Sequence, residues 1–185
     1  MKVIDIGVGK LGVAYAVDEV TDGEDVDAVL LAEKGREVDL LSEVTGGTAF
    51  AANMAALSMR CGVPVLCGTY TRCGSVRHVS ILTFAGGRLA DVADRTRNLG
   101  GGAFAESDTV KVLRLKKFDL GVLVDTDVLL AAHWQRIVEQ CDAVVSIAMR
   151  SRDIDFGYIP TLSSLFGKPY AVAFSGGDLL WGNGE

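Results

Sequence analysis

Proline is scarce in this chain, with 3 in 185 residues, so glycine, present 22 times, must make most of the turns. Histidine is scarcer still: only His78 and His133 are present, far from any ligand-like spacing. The four cysteines, Cys61, Cys67, Cys73 and Cys141, form no C-x-x-C pair. Zinc needs nitrogen and sulfur ligands at close, regular spacing, so no such metal site is expected. No stretch approaches ~20 apolar residues without a charge, which argues against a membrane-spanning helix. The opening MKVIDIGVGK meets Asp5 and Lys10 too soon for a secretion signal, so the cysteines are read as reduced thiols of a cytoplasmic protein. An excess of positive charge is missing as well. The formal net charge of -6 argues against a nucleic-acid platform or a partner on an anionic membrane. Internal repeats and low-complexity linkers are absent. With 49% hydrophobic and 23% charged residues, the chain reads as one domain over 1–185 that needs no metal or disulfide staple to fold.

Residues 1–8 read as a buried first strand, and the stretch from there to about Asp22 shows no clear period. From Glu24 to Arg36 the apolar residues Val26, Val29, Leu30 and Ala32 predict an amphipathic helix ending at Gly35. Val38–Glu43 reads as a strand ending in a carboxylate, Phe50–Cys61 as a helix stopped by Gly62, and Pro64–Thr71 as a strand. Val76–Phe84 and Arg88–Asp94 flank Gly86-Gly87, a pair that supplies the positive φ angles of a tight hairpin. Strands are expected at Val110–Leu115, Gly121–Val124, Ala143–Ala148 and Tyr170–Phe174, with helices at Val128–Gln140 and Tyr158–Phe166. Strand–helix alternation interrupted by a hairpin implies an α/β fold with mixed sheets.

Gly7-Val8-Gly9-Lys10-Leu11-Gly12 fits the G-x-G-x-x-G pattern that lets a pyrophosphate approach a helix N-terminus. Its context is poor. The helix that should follow would meet Asp18, Glu19, Thr21, Asp22 and Gly23, and no second strand carries a ribose-binding acid ~20 residues on. Dinucleotide binding through Gly7, Gly9 and Gly12 stands as a secondary alternative, and no cofactor is expected.

Charged residues gather at three strand ends: Glu43, then Arg95-Thr96-Arg97 after the hairpin, then Asp125-Thr126-Asp127. In α/β sheets functional groups collect at the carboxyl ends of strands, because the loops there open a crevice. Bland readings stand beside this one. Glu43 can be a strand-end carboxylate held by an arginine or by amides. Asp125 and Asp127 can cap the helix expected from Val128. Arg95 and Arg97 can be the solvated exit of the hairpin, and Glu106 a loop acid. Trp134 reads as core or subunit interface, and His133 as helix surface.

The order of elements resembles the nitrilase, or carbon–nitrogen hydrolase, superfamily over roughly residues 1–175, most clearly from 38 to 148. VDLLSE is similar to the family's strand ending in its catalytic Glu, and AALSMRCGVPVLCGTYTR to its next helix and strand. VSILTFAGGRLADVADRTRNL is similar to its hairpin, FAESD around Glu106 to a family element, and GVLVDTD followed by WQRIVEQCDAVVSIA to its nucleophile strand, helix and strand. The resemblance implies a four-layer α–β–β–α sandwich with mixed β-sheets and a Glu–Lys–Cys triad. In that triad the thiolate attacks an amide or nitrile carbon, the Glu relays protons and the Lys stabilises developing charge. Carried over by position, Glu43 matches the Glu, Thr96 falls at the Lys position and Asp125 at the Cys position, with Arg95, Arg97, Glu106 and Asp127 as candidate binding residues. Only one member of the triad remains.

That substitution implies a protein without family-type amide hydrolysis, a binding or oligomeric scaffold for a small amide- or carboxylate-containing ligand. An altered enzyme is the alternative, with Glu43, Asp125 and Asp127 holding a divalent cation whose bound water replaces the thiolate. The chain also stops at SGGDLLWGNGE, short of the family's usual length. A sheet edge would then be left uncovered, and a homodimer or larger assembly is expected.

Overall fold

The computed structural model describes residues 1–33, 35–40, 42, 48–97, 99, 103–149 and 154–184. Among them, seven strands form one sheet: β1 (Lys2–Asp5), β2 (Lys10–Ala14), β3 (Ala28–Leu31), β4 (Glu37–Asp39), β5 (Val65–Cys73), β6 (Val76–Ala85) and β7 (Arg88–Asp94). Its order is β1-β2-β3-β5-β6-β7, with β4 beside β5. The long strand β5 serves two parallel neighbours on one edge. Val65–Cys67 pair with β3 and Tyr70–Arg72 with β4, while β6 runs antiparallel along the whole of the other edge. The second sheet contains β8 (Lys111–Arg114), β9 (Asp119–Val122), β10 (Ala143–Ala148), β11 (Tyr170–Phe174) and β12 (Leu179–Gly182), in the order β12-β11-β10-β9-β8. Here β9, β10 and β11 are parallel, and the two edge strands are antiparallel.

The alternation of side chains across these strands assembles the layers. Leu30 of β3 and Val145 and Ile147 of β10 pack together between the sheets, with Ile81, Leu120 and Ala171. Their neighbours Val29 and Leu31 face the other way, onto α1 (Ala49–Cys61) through Phe50, Met54 and Leu57. Val144 and Ala148 likewise face α2 (Ala131–Ile137) and α3 (Ile159–Phe166). The result is an α–β–β–α sandwich with two mixed sheets, the architecture that the resemblance implied. At Gly68 in β5 the sheets come close: an added Cβ would lie 2.5 Å from Ile147 Cγ2 and 2.6 Å from Met149 Sδ.

Helix α1 begins at Thr48, whose hydroxyl accepts from the Ala51 amide, and ends at Gly62 in the left-handed conformation. Gly86 and Gly87 make the β6–β7 turn with φ of 57° and 78°. Several expectations are corrected. The helix predicted over Glu24–Arg36 is instead strand β3. Its four residues are buried on both faces, which removes the period-two signal and leaves an apolar run that mimics a helix. The strand expected to reach Glu43 stops at Asp39, and Glu43 itself lies outside the described residues. The glycine-rich motif belongs to a β1–β2 hairpin. The Ile6 amide donates to the Gly9 carbonyl, Gly12 lies within β2, and the next element is a three-residue 3-10 turn at Val17–Glu19, too short to receive a pyrophosphate. Gly9 is needed for packing, since a Cβ there would meet Phe118 at 2.0 Å. The chain beyond Phe174, expected to add no element, folds back as β12, which covers the outer edge of β11. No helix among the described residues is long and apolar enough to cross a membrane.

Candidate functional site

The ends of β7 and β9 lie beside each other and bring four of the sequence-predicted residues together. The Arg95 amide donates to Val79 O, which continues the β6–β7 ladder and turns the Arg95 side chain inward, where it is 1% exposed. On the facing sheet the Leu123 amide donates to Val145 O, after which the chain enters a 3-10 turn over Asp125–Leu129. Asp125 opens that turn fully buried and with φ of 54°, the one non-glycine among the described residues in the left-handed region. Such a backbone costs a residue of this kind about 1 kcal/mol or more and persists where surrounding contacts over-determine it.

Those contacts are specific. Arg95 NH1 donates to Asp125 Oδ2 across 2.8 Å, and the Met149 amide donates to Asp125 Oδ1 across 3.1 Å. Both carboxylate oxygens are therefore occupied. Asp127 is not a helix cap. Its carboxylate accepts from the Thr96 amide (2.6 Å), the Thr96 hydroxyl (3.0 Å) and the Arg97 amide (3.1 Å), and so fixes the chain leaving β7. Thr96 Oγ1 also lies in a short hydrogen bond with His133 Nε2. His133, expected on a helix surface, is 6% exposed and faces this cluster through its contact with Thr96. Its Nδ1 and the Thr126 hydroxyl are buried without a hydrogen-bond partner.

Burial pushes the Asp127 carboxyl up to about 6, against the pull of the Thr96 and Arg97 hydrogen bonds and the Arg95 charge. Burial lowers the His133 imidazole, assisted by the Arg136 and Arg97 charges. The signs are opposite. A raised carboxyl binds its proton more tightly in the fold than in the unfolded chain, so Asp127 contributes stability below about pH 4 and loses it as pH rises through 6. His133 contributes above its ordinary range and loses its contribution as pH falls. Replacing Asp127 by asparagine isolates the first effect. Between pH 4 and pH 7 the wild type is expected to lose about 2 kcal/mol relative to Asp127→Asn in urea denaturation. A constant difference across that range would contradict the assignment.

The other candidates lie apart from this cluster. Arg97 and Glu106 form an ion pair of 3.1 Å at the surface, where the two side chains are 62% and 44% exposed. Between them and the buried pair lies Phe104, its ring centroid 5.7 Å from the Arg95 guanidinium and stacked on Tyr70 at 5.3 Å. The segment is tied down by the Ala105 amide on Arg77 O and the Ser107 amide on Arg95 O. The cation reading is not supported by the donors described: the oxygens of Asp125 and Asp127 are spent on Arg95 and on amides. No group of three His, Cys, Asp or Glu able to hold a metal occurs among the described residues. No thiol stands at the end of β9. Cys67 is buried in β5 among the α1-facing side chains, with its thiol pushed up to about 12 by burial, and Cys141 is buried under α2. Trp134 is core, stacked on Phe166. Sequence reasoning missed His133 and the Met149 amide, neither of which carries a local signal.

No family model matches the sequence, and no curated protein matches it. Solved structures do. An amidase of the nitrilase superfamily from Nesterenkonia sp. AN1 superposes with a TM-score of 0.63 over 86% of this chain and 71% of its own, at 12% identity. A carbon–nitrogen hydrolase from Helicobacter pylori G27 gives a TM-score of 0.60 over 80% and 61%, at 13% identity. The chain therefore has the fold of these nitrilase-superfamily enzymes, at low sequence identity to them. The Nesterenkonia amidase has an active-site cysteine that takes up acrylamide by Michael addition.

Proposed function

We propose that this chain is a nitrilase-fold protein in which a structural ion pair has replaced thiol-based attack, and that it serves as a binding scaffold rather than an amide hydrolase. The observation that carries this is Asp125, at the position that the resemblance gives to the nucleophilic cysteine, with both oxygens already engaged. A thiolate is a strong nucleophile even as a minor species at neutral pH. A buried carboxylate held by a guanidinium is a poor one, and its attack on an amide would have to pass through a mixed anhydride. Thr96, at the lysine position, is neutral and already bonded to Asp127 and His133, so it brings no positive charge to a developing oxyanion. Its neighbour Arg95 is committed to Asp125, and a guanidinium does not serve as a proton relay.

The test is ammonia release from short aliphatic amides and nitriles. No release above that of the heat-inactivated chain is expected. Release that is abolished by Glu43→Ala would overturn the proposal and establish an active hydrolase with altered chemistry.

A further inference from the structure

At the other end of the sandwich, where β9 begins rather than ends, a cleft of about 320 Å³ opens between the β8–β9 turn and the α1–β5 connection. That volume lies at the small end of the range of ligand pockets, ~300–1,000 Å³. On the α1–β5 side Val63 and Pro64 form an apolar wall. The β8–β9 side carries Leu115 with Arg114, Lys116 and Lys117, against a single lining acid, Asp27, a local excess of positive charge in a chain whose net charge is -6.

The cations are not equivalent. Lys117 Nζ pairs with Asp27 Oδ1 at 2.8 Å, while Asp27 Oδ2 accepts from the Lys10 amide at 3.0 Å, so this acid is fully used within the fold. Arg114 is held by Asp119 and by the Gln140 carbonyl. Lys116 is exposed and has no hydrogen-bond or ion-pair partner among the described residues. The carbonyl end of α1 at Gly62 favours a cation here, but it does not call for an apolar wall beside it.

We propose that this cleft binds a small organic monocarboxylate, its apolar body on Val63, Pro64 and Leu115 and its charge on Lys116. One unsatisfied ammonium matches one negative charge. A phosphate dianion has no apolar body to cover the wall formed by Val63 and Pro64. The site does not depend on the fate of the Arg95–Asp125 pair, which lies beyond the opposite end of β9.

Amide chemical shifts of the full chain, titrated with sodium benzoate and separately with inorganic phosphate at fixed ionic strength, test this. Benzoate is expected to give saturable shifts at Val63 and at Leu115–Lys117 at millimolar concentration, with Arg95 and Thr96 unmoved. Lys116→Glu, an exposed substitution whose spectrum reports whether the fold is kept, is expected to weaken binding about tenfold. Absence of saturation, shifts centred on Arg95 and Thr96, affinity unchanged in Lys116→Glu, or phosphate binding as tightly as benzoate would each overturn the proposal.

Discussion

Arg95→Met is expected to lower the stability of the chain by about 3–5 kcal/mol, among the largest effects of any single substitution. The methionine fills much of the arginine's volume, so the loss is electrostatic rather than a cavity. It leaves Asp125, fully buried, with a negative charge balanced by one amide. The decisive comparison is Arg95→Met combined with Asp125→Asn. Asparagine tolerates the left-handed backbone of this position and still accepts from the Met149 amide, but it carries no charge. The double variant is expected to recover most of the loss, because removing both members of a buried pair is far milder than removing one. Urea denaturation of the four proteins closes the cycle. A loss of less than ~1 kcal/mol for Arg95→Met alone would mean that water or another group reaches Asp125, and the ion pair would then not be the fixture described above.

The second large effect is expected at Trp134. Its ring is fully buried between the second sheet and α3, with the Phe166 ring at a centroid distance of 6.1 Å, and its indole N–H donates to Val128 O at 2.7 Å. Val128 belongs to the same 3-10 turn as Asp125 and Asp127. Trp134→Ala is expected to cost about 3–5 kcal/mol through lost burial and the cavity left behind. Trp134→Phe keeps most of the apolar contact but leaves the Val128 carbonyl without its donor, so a smaller loss of about 1–3 kcal/mol is expected. If the phenylalanine variant is as stable as the wild type in thermal unfolding, the indole does not anchor the turn.

The parts of this fold that can be read from its residues are those with a local physical signature. Helix α1 announces its end through Gly62, and the β6–β7 hairpin announces its turn through Gly86-Gly87, because left-handed backbone selects glycine. Strand β3 has no such mark. It is apolar throughout because both faces are covered, and only the sheet that surrounds it decides between strand and helix. Strand β1 lies within the first strand read over residues 1–8, but β2 was obscured by a motif whose glycines serve a turn and the close approach of Phe118.

The charged strand ends were visible as an anomaly, since arginine and aspartate rarely end buried strands without a partner. Which of them would meet was not visible. Arg95 and Asp125 are thirty positions apart, and Arg97, two residues further on, goes to the surface instead. Strand alternation would put both arginines on one face; they part because the chain leaves β7 after Asp94 and is turned by Asp127, which accepts from the Thr96 and Arg97 amides. His133 was read as surface because it adjoins Trp134, which takes the core face of α2; both are buried because the chain leaving β7 covers the His133 side as well.

The missing side chain at Gly68 lets Ile147 and Met149 of the facing layer pack directly against β5. Because Met149 is also the residue whose amide braces Asp125, the thickness of the molecule and its buried charge share one dimension. Any bulk inserted at Gly68 would wedge the layers apart where the anion is supported, so steric damage on one sheet would be felt as electrostatic damage on the other.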